Sequence, residues 1–318
     1  MTRNQLIVAV GLLLAATLSW GGMFPVAKPA LAVISPYYLT LIRYGTAGLL
    51  FLILLRATEG PGALALEGRL VSLFVLGTVG FAGFNLLALN GLTHTPPEHG
   101  AVIMAMMPMI TALLTWLAKG QRPATFTLGA IAVSFFGVFL VITGGDPARA
   151  FGAGPARWDL LFLAGAFCWV SYTMGAQRFP HWSALRYTAI TSGLGSLSVA
   201  AIAISLTLAG SIKAPSLATL ESLRWTFAYL IVPGALVAVL SWNTGIRRIG
   251  PVNGVLFINF VPITAFAIGA LQGHAFSTAE LVGAGLVIGA LILNNLHLRL
   301  AGRQLARVPC AEPAPCEG

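Results

Sequence analysis

The chain has 318 residues, of which 57% are hydrophobic and only 8% charged, with a formal net charge of +9. Such a composition cannot cover a water-soluble surface, so lipid is the solvent for most of the chain. The positive balance implies no nucleic-acid partner, because the bases are spread over short connections between apolar runs and form no single basic face. Three cysteines, Cys168 in an apolar run with Cys310 and Cys316 near the end, give neither a disulfide framework nor a metal-ligand spacing.

A helix crossing hydrocarbon needs about 20 apolar residues. Ten such runs follow one another, at about 5–25, 36–55, 70–91, 98–118, 125–144, 158–177, 187–209, 225–244, 251–272 and 278–297. The expected fold class is an all-α integral membrane protein with ten transmembrane helices. With the N-terminus in the cytoplasm, twelve of the eighteen Lys and Arg fall on inside connections, five fall outside, and Arg43 lies within a run. That asymmetry favours both termini in the cytoplasm.

Along the chain, the first run follows Arg3 and precedes Ala30-Leu31-Ala32, which has the form of a leader cleavage site. Retention is expected, because Ala15, Trp20 and Ala27 recur as Ala164, Trp169 and Ala176, each 149 residues on, and cleavage would remove half of a matched pair. Trp20 is a candidate for lining a cavity or for an interfacial belt. Tyr37 and Tyr38, at a run's end, read as interfacial. Arg43, about two turns into the second run, must snorkel, meet a partner carbonyl, or face a cavity where it binds a carboxylate. Asn85 and Asn90 add uncharged hydrogen-bonding groups to the third run.

The fourth run opens with Pro97, Gly100 and Pro108, and the same skeleton returns 154 residues on as Pro251, Gly254 and Pro262. Pro108 and Pro262 fall mid-run, where they free carbonyls near Met104 and Ile258 and predict kinks; Gly100 and Gly254 permit close helix approach. His99 pairs with Asn253 across the repeat and reads as an interfacial histidine or a polar cavity contact. Asn259, deeper, is too costly to face lipid, and either bonds a neighbouring helix or touches a ligand. Met104, Met106, Met107 and Met109 suit core filling or a tolerant pocket wall.

A Gly/Pro-rich stretch near 144–157 forms a seam. It divides the chain into a first repeat at 1–145, a loop at 146–157, a second repeat at 158–298 and a tail at 299–318. Five runs is an odd number, so each run of the second half crosses opposite to its counterpart, as in an inverted-topology repeat. In the sixth run Trp169, Tyr172 and Thr173 share a helical face suited to an amphipathic organic molecule. Gly285 and Gly289 in the tenth read as helix packing.

All nine acids lie at or beyond the ends of runs, which predicts no carboxylate deep in a span and hence gradient-driven flux, or coupling through something other than a buried acid. No phosphate-binding loop, zinc-protease helix or nucleophile elbow is present, so no enzyme and no cofactor is expected.

Trp20-Gly21-Gly22-Met23-Phe24-Pro25-Val26-Ala27-Lys28, Leu41-Ile42-Arg43-Tyr44 and the repeated Pro-x2-Gly-x7-Pro carry a likeness. The chain resembles the EamA family of the drug/metabolite transporter superfamily from about residue 5 to 298, with the YddG-type aromatic amino acid exporters as one branch. The sixth run departs from the pattern, with Val170-Ser171-Tyr172 where the first has glycines. The resemblance implies a bacterial inner-membrane exporter with a cavity between its halves. The expectation is therefore a secondary carrier of small organic metabolites, amino acids first, working by alternating access as a functional monomer in the bilayer. Trp20, Arg43, Asn85, His99, Trp169, Tyr172 and Asn259 are its candidate substrate contacts. A multidrug or nucleotide-sugar carrier is the rival within the class, and a non-transporting receptor or scaffold the rival outside it.

Overall fold

The computed structural model describes residues 3–148, 156–250 and 254–305, with side chains to residue 300. Pro251, Asn253, Cys310, Cys316 and residues 149–155 of the expected seam lie outside the described residues.

Among the described residues eight helices are long and apolar enough to cross a membrane: α1 (Arg3–Ala30), α2 (Pro36–Glu59), α3 (Leu70–Leu92), α6 (Thr125–Thr143), α7 (Ala156–Arg178), α8 (Ala184–Leu208), α9 (Arg224–Ile249) and α11 (Thr278–Leu305). Between them stand α4 (Pro97–Ala105) and α5 (Met107–Lys119), a pair bent by 49°, and the shorter α10 (Val255–Leu271). The ten expected uniform spans thus become eight long helices and two irregular segments. Both exceptions carry the repeated proline motif. Pro108 offers no N–H to the turn before it, and the chain breaks at Met106; ahead of Pro262 the backbone tightens to a 3-10 turn over Val255–Asn259.

Local chemistry sets the ends. Ser35 and Ser183 are the N-caps of α2 and α8, and their hydroxyls accept from the backbone N–H of Tyr38 and Arg186 at 3.4 and 2.9 Å. Gly120 and Gly144 close α5 and α6 at φ of 67° and 60°, a left-handed conformation that favours glycine.

The halves interlock. α1 packs on α9 and α10, α7 packs on α3, and α2 lies against α8, α4 against α10 and α6 against α11. α6 and α11 run antiparallel: Thr127 bonds Asn294 and Phe126 stacks on His297 at one end, while Gly145 meets Ala279 at the other. They cross at a glycine pair, where a Cβ on Gly137 would lie 2.6 Å from the Gly283 carbonyl and one on Gly283 would lie 2.5 Å from the Gly137 carbonyl. Only bare backbone allows that approach.

One irregularity is duplicated as well. α3 carries a π-turn over Thr78–Gly83 and α9 carries one over Val232–Val237, at positions 154 residues apart, with Gly80 and Gly234 as matched members. A π-turn lengthens the hydrogen-bonding step and leaves carbonyls short of donors.

Candidate functional site

Arg43, only 2% exposed, projects from α2 onto the π-turn of α9. Its Nε donates to the Leu230 carbonyl at 3.2 Å, and its Nη2 reaches the Gly234 carbonyl at 3.5 Å and the Met23 sulfur at 2.7 Å. The guanidinium also sits over the Tyr44 ring, 4.6 Å from its centroid. Of the roles open to Arg43 in the sequence, the partner carbonyl is the one observed here. Desolvation is offset because its donors meet carbonyls at and just before the π-turn. The corresponding N-caps, Ser35 and Ser183, place Thr191 where Arg43 stands in the other half. There a hydroxyl meets the Tyr172 hydroxyl at 3.2 Å, so the halves share a frame with different chemistry.

From Arg43 an aromatic array runs into the second half. Tyr44 meets Phe81 at 5.1 Å between centroids, Phe81 meets Tyr172 at 5.2 Å and Trp169 at 6.0 Å, and Trp169 meets Phe84 at 5.4 Å. Tyr172 is buried, its ring against Gly80 of the α3 π-turn and stacked on Tyr187 at 5.0 Å. The expected shared face holds for Trp169 and Tyr172, 5.2 Å apart. Thr173, one turn from Trp169, is exposed and spends its hydroxyl on the Trp169 carbonyl within its own helix.

Trp20, the repeat mate of Trp169, pairs with Trp242 at 5.3 Å. Asn85 is buried one turn beyond Phe81 and donates to its carbonyl at 2.9 Å. Asn259 is buried too: its amide N–H donates to the Leu256 carbonyl, while its Oδ1 finds no partner among the described residues. Gly100 admits the Phe162 ring and Gly254 admits Ile246, so both permit the close packing expected of them. The four methionines near Pro108 are buried in the core.

His99 departs most from its interfacial reading. It is 7% exposed, and its Nδ1 lies 3.1 Å from Asp159 Oδ2 while its Nε2 lies 3.8 Å from Glu280 Oε1. This histidine joins the first turns of α4, α7 and α11. Asp159 is 0% and Glu98 3% exposed: both stand at the ends of their helices, as the sequence placed them, but those ends are covered by other helices. Each acid stands in the first turn of a helix, a favourable place for negative charge. Nearby, Lys28 at the end of α1 spends its ammonium on the carbonyls of Leu92, Thr93 and Thr95 at 2.6, 3.1 and 3.0 Å. Sequence reasoning missed Glu98, Asp159 and Lys28 because their burial depends on which helix ends meet.

The opposite end is latched by polar side chains. Glu67 accepts from Arg186 Nη2 at 2.7 Å and from the Trp182 indole at 3.1 Å; Ser183 donates to Glu59, and Arg69 to the Arg178 carbonyl. The indole hydrogen bond, with help from Arg186, holds the Glu67 carboxyl below the usual carboxylate range. Among the described residues no group of three or more His, Cys, Asp or Glu could hold a metal ion.

Apolar spanning helices interlocked half against half, with polar clusters at both ends and an arginine-aromatic array between, define a multi-pass membrane protein with a duplicated core. The chain belongs to the EamA-like transporter family, whose model matches residues 7–143 and again 156–296. It is thus a membrane transporter of the drug/metabolite class. It is similar to "Uncharacterized transporter YrdR" of Bacillus subtilis (strain 168), 35% identical over 303 residues that cover 94% of each chain. It is also similar to "Probable terminal-alkyne amino-acid exporter" of Streptantibioticus cattleyicolor, 22% identical over 96% of this chain and 99% of that one. A solved structure superposes with a TM-score of 0.63 over 95% of this chain and 99% of its own, at 20% identity, which shows the fold alone.

Proposed function

We propose that this transporter exports small organic metabolites, amino acids including aromatic ones first, by alternating access between two inverted-topology five-helix repeats at 1–145 and 158–298. Ten spans result when the α4–α5 pair is counted as a broken fourth span and α10 as the ninth. The observation that carries the reading is the matched pair of π-turns flanking the arginine-aromatic array, since irregular backbone in spanning helices is tolerated where it serves a cavity or a neighbouring helix. The likeness to a probable amino-acid exporter supports the cargo class.

In this account Trp20, Trp169 and the open Oδ1 of Asn259 touch cargo directly. Arg43, Asn85, Tyr172 and His99, held by protein groups in this conformation, become available as the helices shift. With Arg43 the one base deep in a spanning helix among the described residues, a polyanionic nucleotide finds no array of deep bases, which disfavours the nucleotide-sugar rival. The excess of bases on one set of connections puts the Arg186 end and both termini in the cytoplasm of a bacterial inner membrane and the Lys28 end outside. With two halves in one chain, a monomer suffices. Uptake of a labelled amino-acid panel into proteoliposomes tests the reading: saturable flux for at least one member is expected, and none for any would sink it.

A further inference from the structure

We propose that the cavity at the Lys28 end is a binding site for an organic primary ammonium, anchored by the carboxylate of Glu98. The cavity has a volume of about 360 Å³ and is lined by Pro25, Lys28, Glu98, Gly269, Gln272 and His274, among others. That lies at the small end of the range for small-molecule sites, about 300–1,000 Å³.

Glu98 is 3% exposed, and its Oε2 is buried without a hydrogen-bond partner among the described residues. A carboxylate taken from water without compensation is costly, and removing that cost requires a donor, preferably a cation. The protein cations nearby are committed elsewhere. Lys28 gives three hydrogen bonds to carbonyls, which exhausts an ammonium's donors. His99 lies between Asp159 and Glu280. The ring of His274, also in the lining, packs on Phe276 at 4.7 Å between centroids and makes no hydrogen bond to Glu98.

Room for the carboxylate is provided by a glycine. A Cβ on Gly269 would collide with Glu98 Oε1, so α10 has a gap where the acid lies. The cavity is therefore lined by an acid with one oxygen unpartnered among the described residues and by Gln272, while its lysine has no N–H left for a ligand's carboxylate. A primary ammonium supplies three N–H donors and a positive charge. Phosphates and free carboxylates find no available donor from Lys28 and a negative charge in their way.

The inference rests on the export reading only in calling that ammonium cargo. The test is calorimetric binding to the purified full chain in detergent, with phenethylamine, L-phenylalanine and 3-phenylpropionate as probes. Both amines are expected to bind at least about tenfold more tightly than 3-phenylpropionate. Glu98→Gln and, separately, Gly269→Ala should each weaken the amines by a similar factor, while Glu221→Gln, on an exposed surface, should leave them unchanged. Glu98→Gln removes a buried charge and keeps the shape, so a matching melting curve shows that the variant folds. Equal affinity for the carboxylate-only probe, unchanged amine affinity in folded Glu98→Gln, or no binding of either amine to wild type would overturn the proposal. Amine binding without flux in proteoliposomes would uphold the site and defeat the export reading; flux with an unchanged KM in Glu98→Gln would do the reverse.

Discussion

Arg43 and Glu98 are both charges removed from water, and their surroundings differ. Arg43 is surrounded by acceptors, whereas Glu98 keeps one oxygen unmatched. Arg43→Lys retains the charge but not the fork that reaches two carbonyls and a sulfur, so it should destabilise the protein by about 1–3 kcal/mol. A lowered midpoint in thermal unfolding checks this; an unchanged midpoint would mean the carbonyls find other donors. Sequence gave Arg43 three candidate roles and included the observed one, because a cation two turns into apolar sequence has few. It read His99 as interfacial and did not foresee the burial of the acids beside it, since proximity to a helix end in sequence says nothing about whether that end is covered by other helices. Thr173 shows a related limit: helical spacing put it on the face of Trp169, but its hydroxyl is spent on its own helix.

For the helices, the repeated Pro-x2-Gly-x7-Pro was the most legible signal, because proline's missing donor acts locally. It foretold the break at Met106 and the irregular start of α10. The π-turns in α3 and α9 were not legible, since both lie in continuous apolar sequence and the matched Gly80 and Gly234 do not by themselves call for a π-turn. The α6–α11 crossing yields a second prediction. Gly137→Ala should cost about 1–3 kcal/mol, because its new methyl faces the Gly283 carbonyl and not a flexible side chain. Gly129→Ala in the same helix, with open space around it, should be neutral or slightly stabilising. Comparing the two by thermal unfolding separates a close crossing from a general intolerance of α6. The latch near Arg186 yields a third. The folded carboxyl of Glu67 is depressed, so its contribution is complete above the ordinary carboxylate pKa, about 4.3, and is lost as pH falls through the lower folded value. Trp182 fluorescence should stay level from about pH 8 to 5 and change only below the ordinary value. In Glu67→Gln that acid-side transition should be absent.

At the scale of the whole molecule, composition and the count of apolar runs were enough for a multi-pass helical protein, and a matched skeleton was enough for duplication. What they could not supply was the interlock, in which α1 packs on α9 while its counterpart α7 packs on α3. A motion of one half against the other must slide these reciprocal contacts, and the glycines at Gly21, Gly22, Gly77 and Gly195 keep the sliding surfaces close. The central claim is that such motion carries amino acids across the bilayer. Counterflow tests it most directly: proteoliposomes preloaded with unlabelled amino acid are diluted into trace labelled amino acid, with no other gradient. The account predicts transient accumulation of label above the outside concentration, dependent on the preload and saturating with it. Label that enters at the same rate with or without preload, or at the rate of protein-free vesicles, would contradict it.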